Sequence, residues 1–350
     1  MNTFREVIQK VSRGEKLSKD LTREEAHQAL HWIFQGEASE FQIGALFAAM
    51  RMKGESAGET AGFVEAVRER SVQLHSPLEG ILDLGEPYDG KVKTLHLTVP
   101  VALILSAAGV PTILHSTPDT PVKKGVETQG ILEALGVEIV ADPVSLLEIL
   151  GSEKIVFLPT EKLAPDFAKL RPYREAFGLR PFANHIEKIF NLANASTQMV
   201  GIYHRPYLEP MGEALSQRGI PRIFVIQGVE GFTEFFISRK TLILQIEDGK
   251  RESFWLDPAA FGFGGEEEPA LRKHARDPAE RIHRLLGGER GPSRQSLLWN
   301  AGIKLFWMKK AASIEEGLAR AQEILDSGKA LEKLEAFKHA SQEKAGSKKV

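Results

Sequence analysis

The chain has no cysteine. That excludes disulfides, a thiol nucleophile and thiolate-held metals, and it fits a reducing compartment. Membrane-spanning runs are also missing. Even the apolar stretch at 98–110, TVPVALILSAAGV, is too short to cross a bilayer, and the opening MNTFREVIQK has no signal-peptide core. The expectation is a cytoplasmic protein with no membrane partner. Neither Gly-x-x-x-x-Gly-Lys-Ser/Thr nor His-Glu-x-x-His occurs, and no zinc-ligand spacing is present. His274 and His283 fall in LRKHARDPAERIHR, which reads as a solvated basic helix and not as a metal site. Neither sign of charge is in excess. A net charge of −2 argues against a wholly basic nucleic-acid protein but leaves room for a local basic groove.

What is present is a 350-residue chain, 42% hydrophobic and 26% charged, enough for a large core and two lobes. Residues 1–75 read as a helical bundle. Phe4, Val7, Ile8 and Val11 recur at helical spacing. Thr22 and Glu25 form a capping-box pattern, and Ser39 and Ser56 cap the next two helices. Gly14, Gly36 and Gly54 are the stops.

Ser76-Pro77 opens an α/β region expected to run over 76–340, with a polar tail at 341–350. Strands are expected at 81–84, 112–115, 138–140, 155–158, 222–226 and 242–245, with helices between most of them. That alternation predicts a mainly parallel sheet covered by helices. Residues 162–192 interrupt it. They read as two helices punctuated by Pro165, Pro172 and Pro181, and they are expected to join the helical lobe. Helices at 297–308 and 314–325 close the domain. The stripe Leu298, Ile303, Leu305 and Phe306 is core, while Lys304, Lys310 and Trp307 are candidates for an aromatic–basic contact surface.

The chemistry centres on 81–136. A short apolar strand leads into GEPYDG at 85–90, and a Pro-, Lys- and Gly-rich loop precedes ILEALG at 131–136. Strand, glycine-containing turn and helix are the parts of an anion cradle. They are equally the parts of an ordinary β-turn-α unit with no ligand.

The order of pieces resembles the anthranilate phosphoribosyltransferase family, within the wider phosphoribosyltransferase and nucleoside phosphorylase group. The likeness is carried by GEASEFQIGALFAAMRMKGES, ILEALGV, PYREAFGLR, QMVGIY, GVEGFTE, GPSRQSLLWNAG and DSGKALEKL, spread over nearly the whole chain. It implies a two-lobed fold, a helical bundle plus a larger α/β domain, and a homodimer through the helical lobe. It also implies transfer of phosphoribose from phosphoribosyl pyrophosphate to an aromatic amine, with Mg²⁺ stabilising the departing diphosphate.

Set against the family motifs, the site residues differ. The family's phosphate turn is Gly-Thr-Gly-Gly-Asp-Gly; here only Gly85, Asp89 and Gly90 match. Glu86 adds a negative charge, costing about 1 kcal/mol beside another charge a few Å away even in water. Pro87 removes a donor and Tyr88 adds bulk. Asn-x-Ser-Thr is replaced by His96-Leu97-Thr98-Val99, which keeps the Thr98 hydroxyl. Lys-His-Gly-Asn becomes Leu114-His115-Ser116-Thr117, with Lys123 and Lys124 restoring charge nearby. On the acceptor side Arg174, Arg180 and Asn184 are retained, but Gly-Pro-Leu becomes Glu187-Lys188-Ile189. The metal pair Asp-Glu becomes Thr233-Glu234, leaving Glu234 as the one metal candidate.

The expectation is therefore a family scaffold whose donor and Mg²⁺ sites are eroded. One alternative is a non-catalytic homodimer that binds nucleic acid through Lys123, Lys124, Lys169, Arg171, Arg174, Arg180 and Lys188, in a salt-sensitive way. Another is a nucleoside phosphorylase-like enzyme, although nothing at 85–90 matches the Lys-His-Ser-Thr-Gly-Gly run of those proteins.

Overall fold

Three capping boxes set the first lobe. The computed structural model describes residues 3–14, 16–269 and 275–346. Thr22, Ser39 and Ser56 each accept the backbone N–H three residues on, and Glu25, Gln42 and Glu59 reach back in return. The helices so placed are α1 (Phe4–Val11), α2 (Arg23–Gln35), α3 (Glu40–Lys53) and α4 (Ala57–Glu69). Glu59 also ties them together. It is buried and accepts from Leu21 N at 2.8 Å and Lys53 Nζ at 2.7 Å.

Seven strands follow: β1 (Leu82–Gly85), β2 (Thr112–Ser116), β3 (Ile155–Pro159), β4 (Thr197–Ile202), β5 (Arg222–Gln227), β6 (Thr241–Glu247) and β7 (Lys250–Leu256). They form one sheet in the order β3-β2-β1-β4-β5-β6-β7. The first five in that order pair in parallel, and β6 and β7 add antiparallel. This is the helical lobe plus mainly parallel α/β domain that the sequence implied. The helices of the larger lobe are α5 (Thr98–Ala107), α6 (Thr128–Ala134), α7 (Pro143–Glu153), the short α8 (Thr160–Leu163), α9 (Pro165–Ala168), α10 (Arg171–Phe177) and α11 (Ala183–Ile186), then α12 (Leu208–Gln217), α13 (Arg276–Leu286), α14 (Pro292–Trp307), α15 (Ile314–Asp326) and α16 (Lys329–Gly346).

Several local expectations need correction. Residues 138–140 are not a strand; they link α6 to α7, with Val137 and Val140 buried as anchors. Two strands escape the apolar pattern. In β4, Gln198 and Gly201 break it. In β7 the first four residues, Lys250 to Ser253, are polar and exposed, and its signal is the turn Asp248-Gly249, with φ of 52° and 75°, which closes a two-residue hairpin. Between 162 and 192 the prolines cut the chain into short helices instead of two. That stretch packs on the helical lobe: Phe182 stacks on Phe63 at 4.2 Å and meets Phe47 edge-on at 5.5 Å. The polar tail is helical where described. Helix α16 runs to Gly346, Ser341 is buried, and its Oγ accepts from Glu138 N at 3.0 Å. Among the described residues no helix is long and apolar enough to cross a membrane. His283 is exposed as expected, while His274 lies outside the described residues.

The topology fixes where a ligand would lie. From β1 the order runs to β2 and β3 on one side, and from β4 to β5 on the other. The reversal opens a crevice beyond the C-terminal ends of β1 and β4, the usual ligand position in open α/β sheets. Two glycines sit there because nothing larger fits. A Cβ on Gly85 would lie 2.4 Å from the Lys188 carbonyl oxygen, and one on Gly201 would lie 2.2 Å from that of Gly231.

Phe182 clamps the short helices to the bundle, so Phe182→Ala is expected to destabilise the fold by about 3–5 kcal/mol. Urea unfolding of the purified variant measures it. A loss under about 1 kcal/mol would show that the clamp is dispensable.

Candidate functional site

Below the 85–90 turn runs a buried polar chain. The Tyr88 hydroxyl lies 2.5 Å from His115 Nδ1 and 2.7 Å from Thr160 Oγ1. His115 Nε2 is 3.1 Å from Asp83 Oδ1, which also accepts from Gln198 Nε2 at 3.1 Å. All five side chains are buried. The chain ties β1, β2, β4 and the residue after β3 together beneath the crevice. Loop 121–126 then closes over the turn: Gly125 N donates to the Asp89 carbonyl and Lys91 N to that of Val126, both at 2.8 Å. Gly90, at φ 75°, is required there, since a Cβ would lie 2.6 Å from the Gly125 backbone.

Around this turn three carboxylates occupy three sets of donors. Glu86 accepts from Thr233 N at 2.9 Å, Thr233 Oγ1 at 2.6 Å and Thr98 Oγ1 at 3.0 Å. Glu127, at the start of α6, accepts from Ser116 Oγ at 2.9 Å, Gln129 N at 2.6 Å and Gly130 N at 2.8 Å. Glu230, itself at φ 53°, accepts from the consecutive N–H groups of Val92, Lys93 and Thr94 at 3.1, 3.0 and 2.8 Å. Converging N–H groups of this kind are what an oxyanion would use. Burial pushes the carboxyls of Glu86 and Glu127 upward, against the pull of their donors. For Glu230 burial also acts upward, but the backbone donors and Lys91 outweigh it and hold it low.

Two buried lysines accompany the cluster, Lys304 acting on Glu86 and Lys91 on Glu234. Lys91 donates to Glu234 at 2.6 Å and to the Leu95 carbonyl at 2.9 Å. Lys304 donates to the Thr233 carbonyl at 2.8 Å, and burial lowers its pKa to about 8. Lys304 is thus no part of a contact surface. Trp307 is buried too, stacked on Phe224 at 4.3 Å.

Beside this cluster lies a cleft of about 590 Å³, its open mouth included, lined by residues that follow β1 (Tyr88, Asp89) and β4 (Tyr203, His204). Three of its lining residues are carboxylates, Asp89, Glu187 and Glu230, against two cations, Arg180 and Lys188. Arg180 Nε donates to Asp89 at 2.7 Å, and Lys123 lies 3.9 Å from Asp89 and 4.0 Å from Glu230. Lys188 donates to the Gly201 carbonyl at 2.7 Å, and burial lowers its pKa to about 8. Arg174 pairs with Glu187 at 2.7 Å, both buried.

The chain matches the model of a glycosyl transferase family helical bundle domain over residues 5–71 and that of the same family's a/b domain over 89–331. Anthranilate phosphoribosyltransferase of Rubrobacter xylanophilus is 33% identical over 98% of this chain and 99% of its own length. The Methanocorpusculum labreanum protein of that name is 33% identical over 90% and 93%. The chain belongs to the anthranilate phosphoribosyltransferase family. The solved family structure from Thermus thermophilus superposes with a TM-score of 0.84 at 28% identity, over 98% of this chain and all of its own. A Saccharomyces cerevisiae family structure, in complex with PRPP and Mg, has the same TM-score at 17% identity and bears on fold alone.

Magnesium requires open oxygen ligands, and the residues here do not fit it. Glu234 has one oxygen on Lys91 and the other on Leu97 N at 2.8 Å. The neighbouring Thr233 carbonyl is taken by Lys304. Among the described residues no group of three or more His, Asp or Glu could hold a metal. Three of the basic residues expected to line a groove lie beside carboxylates: Lys169 by Asp166 at 2.5 Å, which Arg70 shares, Arg171 by Glu161 at 3.0 Å, and Lys124 by Glu175 at 4.0 Å. Arg174 and Lys188 are buried, so they present no open basic face. The family comparison of motifs singles out Glu86. Glu127, Glu230, Lys91 and Lys304 escape it, although a lysine inside LLWNAGIKLFW is itself a signal of a buried charge.

Lys188 supplies a pH test. Its folded pKa of about 8 lies below the ordinary 10.5, so the unfolded chain holds more protons between those values. This group therefore makes stability rise as pH climbs through that window. Relative to Lys188→Met, the wild type is expected to gain stability from pH 8 to pH 10 in urea titrations. A constant difference would contradict the burial of a charged Lys188.

Proposed function

We propose that this family member keeps a ligand cleft at the strand ends but does not use a magnesium-bound phosphoribosyl pyrophosphate donor, so the reaction named for its relatives is not its own. The observation that carries the reading is the Glu86 carboxylate, buried and held by Thr98 and Thr233 in the family's phosphate turn. A diphosphate entering there would meet the Glu86 carboxyl and find its donors already engaged. Glu127 and Glu230 support the same reading on either side. The ligand instead occupies the cleft, where Arg180, Asn184 and Lys188 face Tyr203 and Tyr207. Calorimetry with phosphoribosyl pyrophosphate and Mg²⁺ is expected to give no binding heat at millimolar ligand. Saturable, magnesium-dependent heat would overturn the reading. The nucleic-acid alternative has less support, because the basic residues it needs are paired within the chain.

We also propose a homodimer through the helical lobe. On α3, Phe41, Ala45, Ala48 and Met52 fall at i, i+4, i+7 and i+11 on one face, and Phe41 and Met52 are each 87% exposed. An uncharged apolar stripe of this kind is self-complementary across a two-fold axis. Light scattering is expected to give twice the chain mass for the wild type and the chain mass for Phe41→Asp/Met52→Asp. A monomeric wild type, or a dimeric double variant, would refute it.

A further inference from the structure

Arg171 lies outside the cleft lining, and its guanidinium is engaged on two edges. On one edge, Nε and Nη2 donate to Glu161 of α8 at 3.1 and 3.0 Å. On the other, Nη2 donates to the Pro118 carbonyl at 2.9 Å and Nη1 to the Asp119 carbonyl at 3.2 Å. Both carbonyls belong to residues 117–125, which link β2 to α6 and close over the 85–90 turn. Asn184 adds a bond from Nδ2 to the Pro121 carbonyl at 3.2 Å. Carbonyls along one loop are thus laced to side chains of residues 171–184. That stretch is itself anchored on the helical lobe, through Phe182 on Phe63 and through Arg51 of α3, which donates to the Arg180 carbonyl at 2.8 Å.

The ties differ in strength. Lys124 and Glu175 stand 4.0 Å apart with side chains 55% and 48% exposed, and an ion pair of that kind contributes little. The Asn184 bond is neutral. The Arg171 bonds are charge-assisted and fixed by a planar fork, which Glu161 holds in orientation. The loop also stores backbone strain. Asp119 at φ 53° and Lys124 at φ 49° lie in the left-handed region, which a side chain disfavours and which persists only where the surroundings impose it. Arg171 holds the carbonyl of the first of these two residues. Pro118 and Pro121 fix φ in the same stretch, so less chain entropy is lost when it closes.

We propose that residues 117–125 are a strap shut over the 85–90 turn and that Arg171 is its latch, a conformational device in which the fork must leave both carbonyls before the strap lifts. The inference goes beyond the reading of the donor side and does not assume it. Reporters of closure are the amides bonded between strap and turn: Gly125 to the Asp89 carbonyl, and Val126 and Lys91 to each other's carbonyls. Hydrogen–deuterium exchange of the full chain, without any phosphorylated ligand, follows them by mass spectrometry. In Arg171→Ala these amides are expected to exchange at least about tenfold faster than in the wild type, while those of β5 stay unchanged. Arg171→Lys keeps the charge but cannot span two carbonyls and Glu161, so it is expected to behave like the alanine variant. Should either variant also speed exchange in β5, Glu161→Gln replaces it: the guanidinium stays but loses its orienting charge, and the strap amides are expected to exchange about threefold faster with β5 unchanged. Unprotected strap amides in the wild type, unchanged exchange in Arg171→Ala or Glu161→Gln, or wild-type protection in Arg171→Lys would overturn the latch. Magnesium-dependent binding of phosphoribosyl pyrophosphate would instead refute the donor reading alone, since exchange is measured in its absence.

Discussion

The burial of the Glu86 carboxylate at the switch point of the sheet is the constraint around which the rest is arranged. A carboxylate removed from water is costly unless it is bonded and balanced. Here the bonds come from Thr98 and Thr233, and the balance from Lys304, which reaches the Thr233 carbonyl. Lys304 in turn has Asn300 at 3.4 Å on its own helix, while Lys91 and Glu234 compensate each other alongside. Removing one member leaves a buried charge without its partner. The cluster is therefore kept or lost as a unit.

This arrangement accounts for the geometry above it. With Glu86 directed into the cluster, the next residue, Pro87, starts a turn that drops Tyr88 into the sheet, where it meets His115 and Thr160. Asp89 is then free to hold Arg180, which links the turn to the segment packed on the helical lobe. The crevice that a parallel sheet opens at its strand ends is in this way narrowed on the donor side. On the other side, past β4, it stays open between Lys188 and Tyr203.

The sequence made some of this legible for physical reasons. Capping boxes at Thr22 and the caps at Ser39 and Ser56 are local, so the helical lobe could be read directly. Apolar strands flanked by helices gave most of the parallel sheet. Strand β4 was hidden because Gln198 serves the buried network and Gly201 serves a close backbone approach, and neither need is visible in hydrophobic periodicity. Glu86 stood out against the family turn. Glu127 and Glu230 did not, because a glutamate near a helix start or in a turn looks solvated until its N–H partners are known. For several basic residues the converse holds: the charge is plain in the sequence, but a carboxylate beside it comes from another part of the chain, as Glu161 does for Arg171 and Glu175 for Lys124.

The central claim is that the chain's own carboxylate fills the diphosphate position. A crystal structure of the protein grown in high concentrations of magnesium and inorganic pyrophosphate tests it most directly. The account requires Glu86 to remain bonded to Thr98 and Thr233, with no diphosphate at the turn. Diphosphate seated against the 85–90 backbone, with the Glu86 side chain displaced and a metal ion on Glu234, would contradict it.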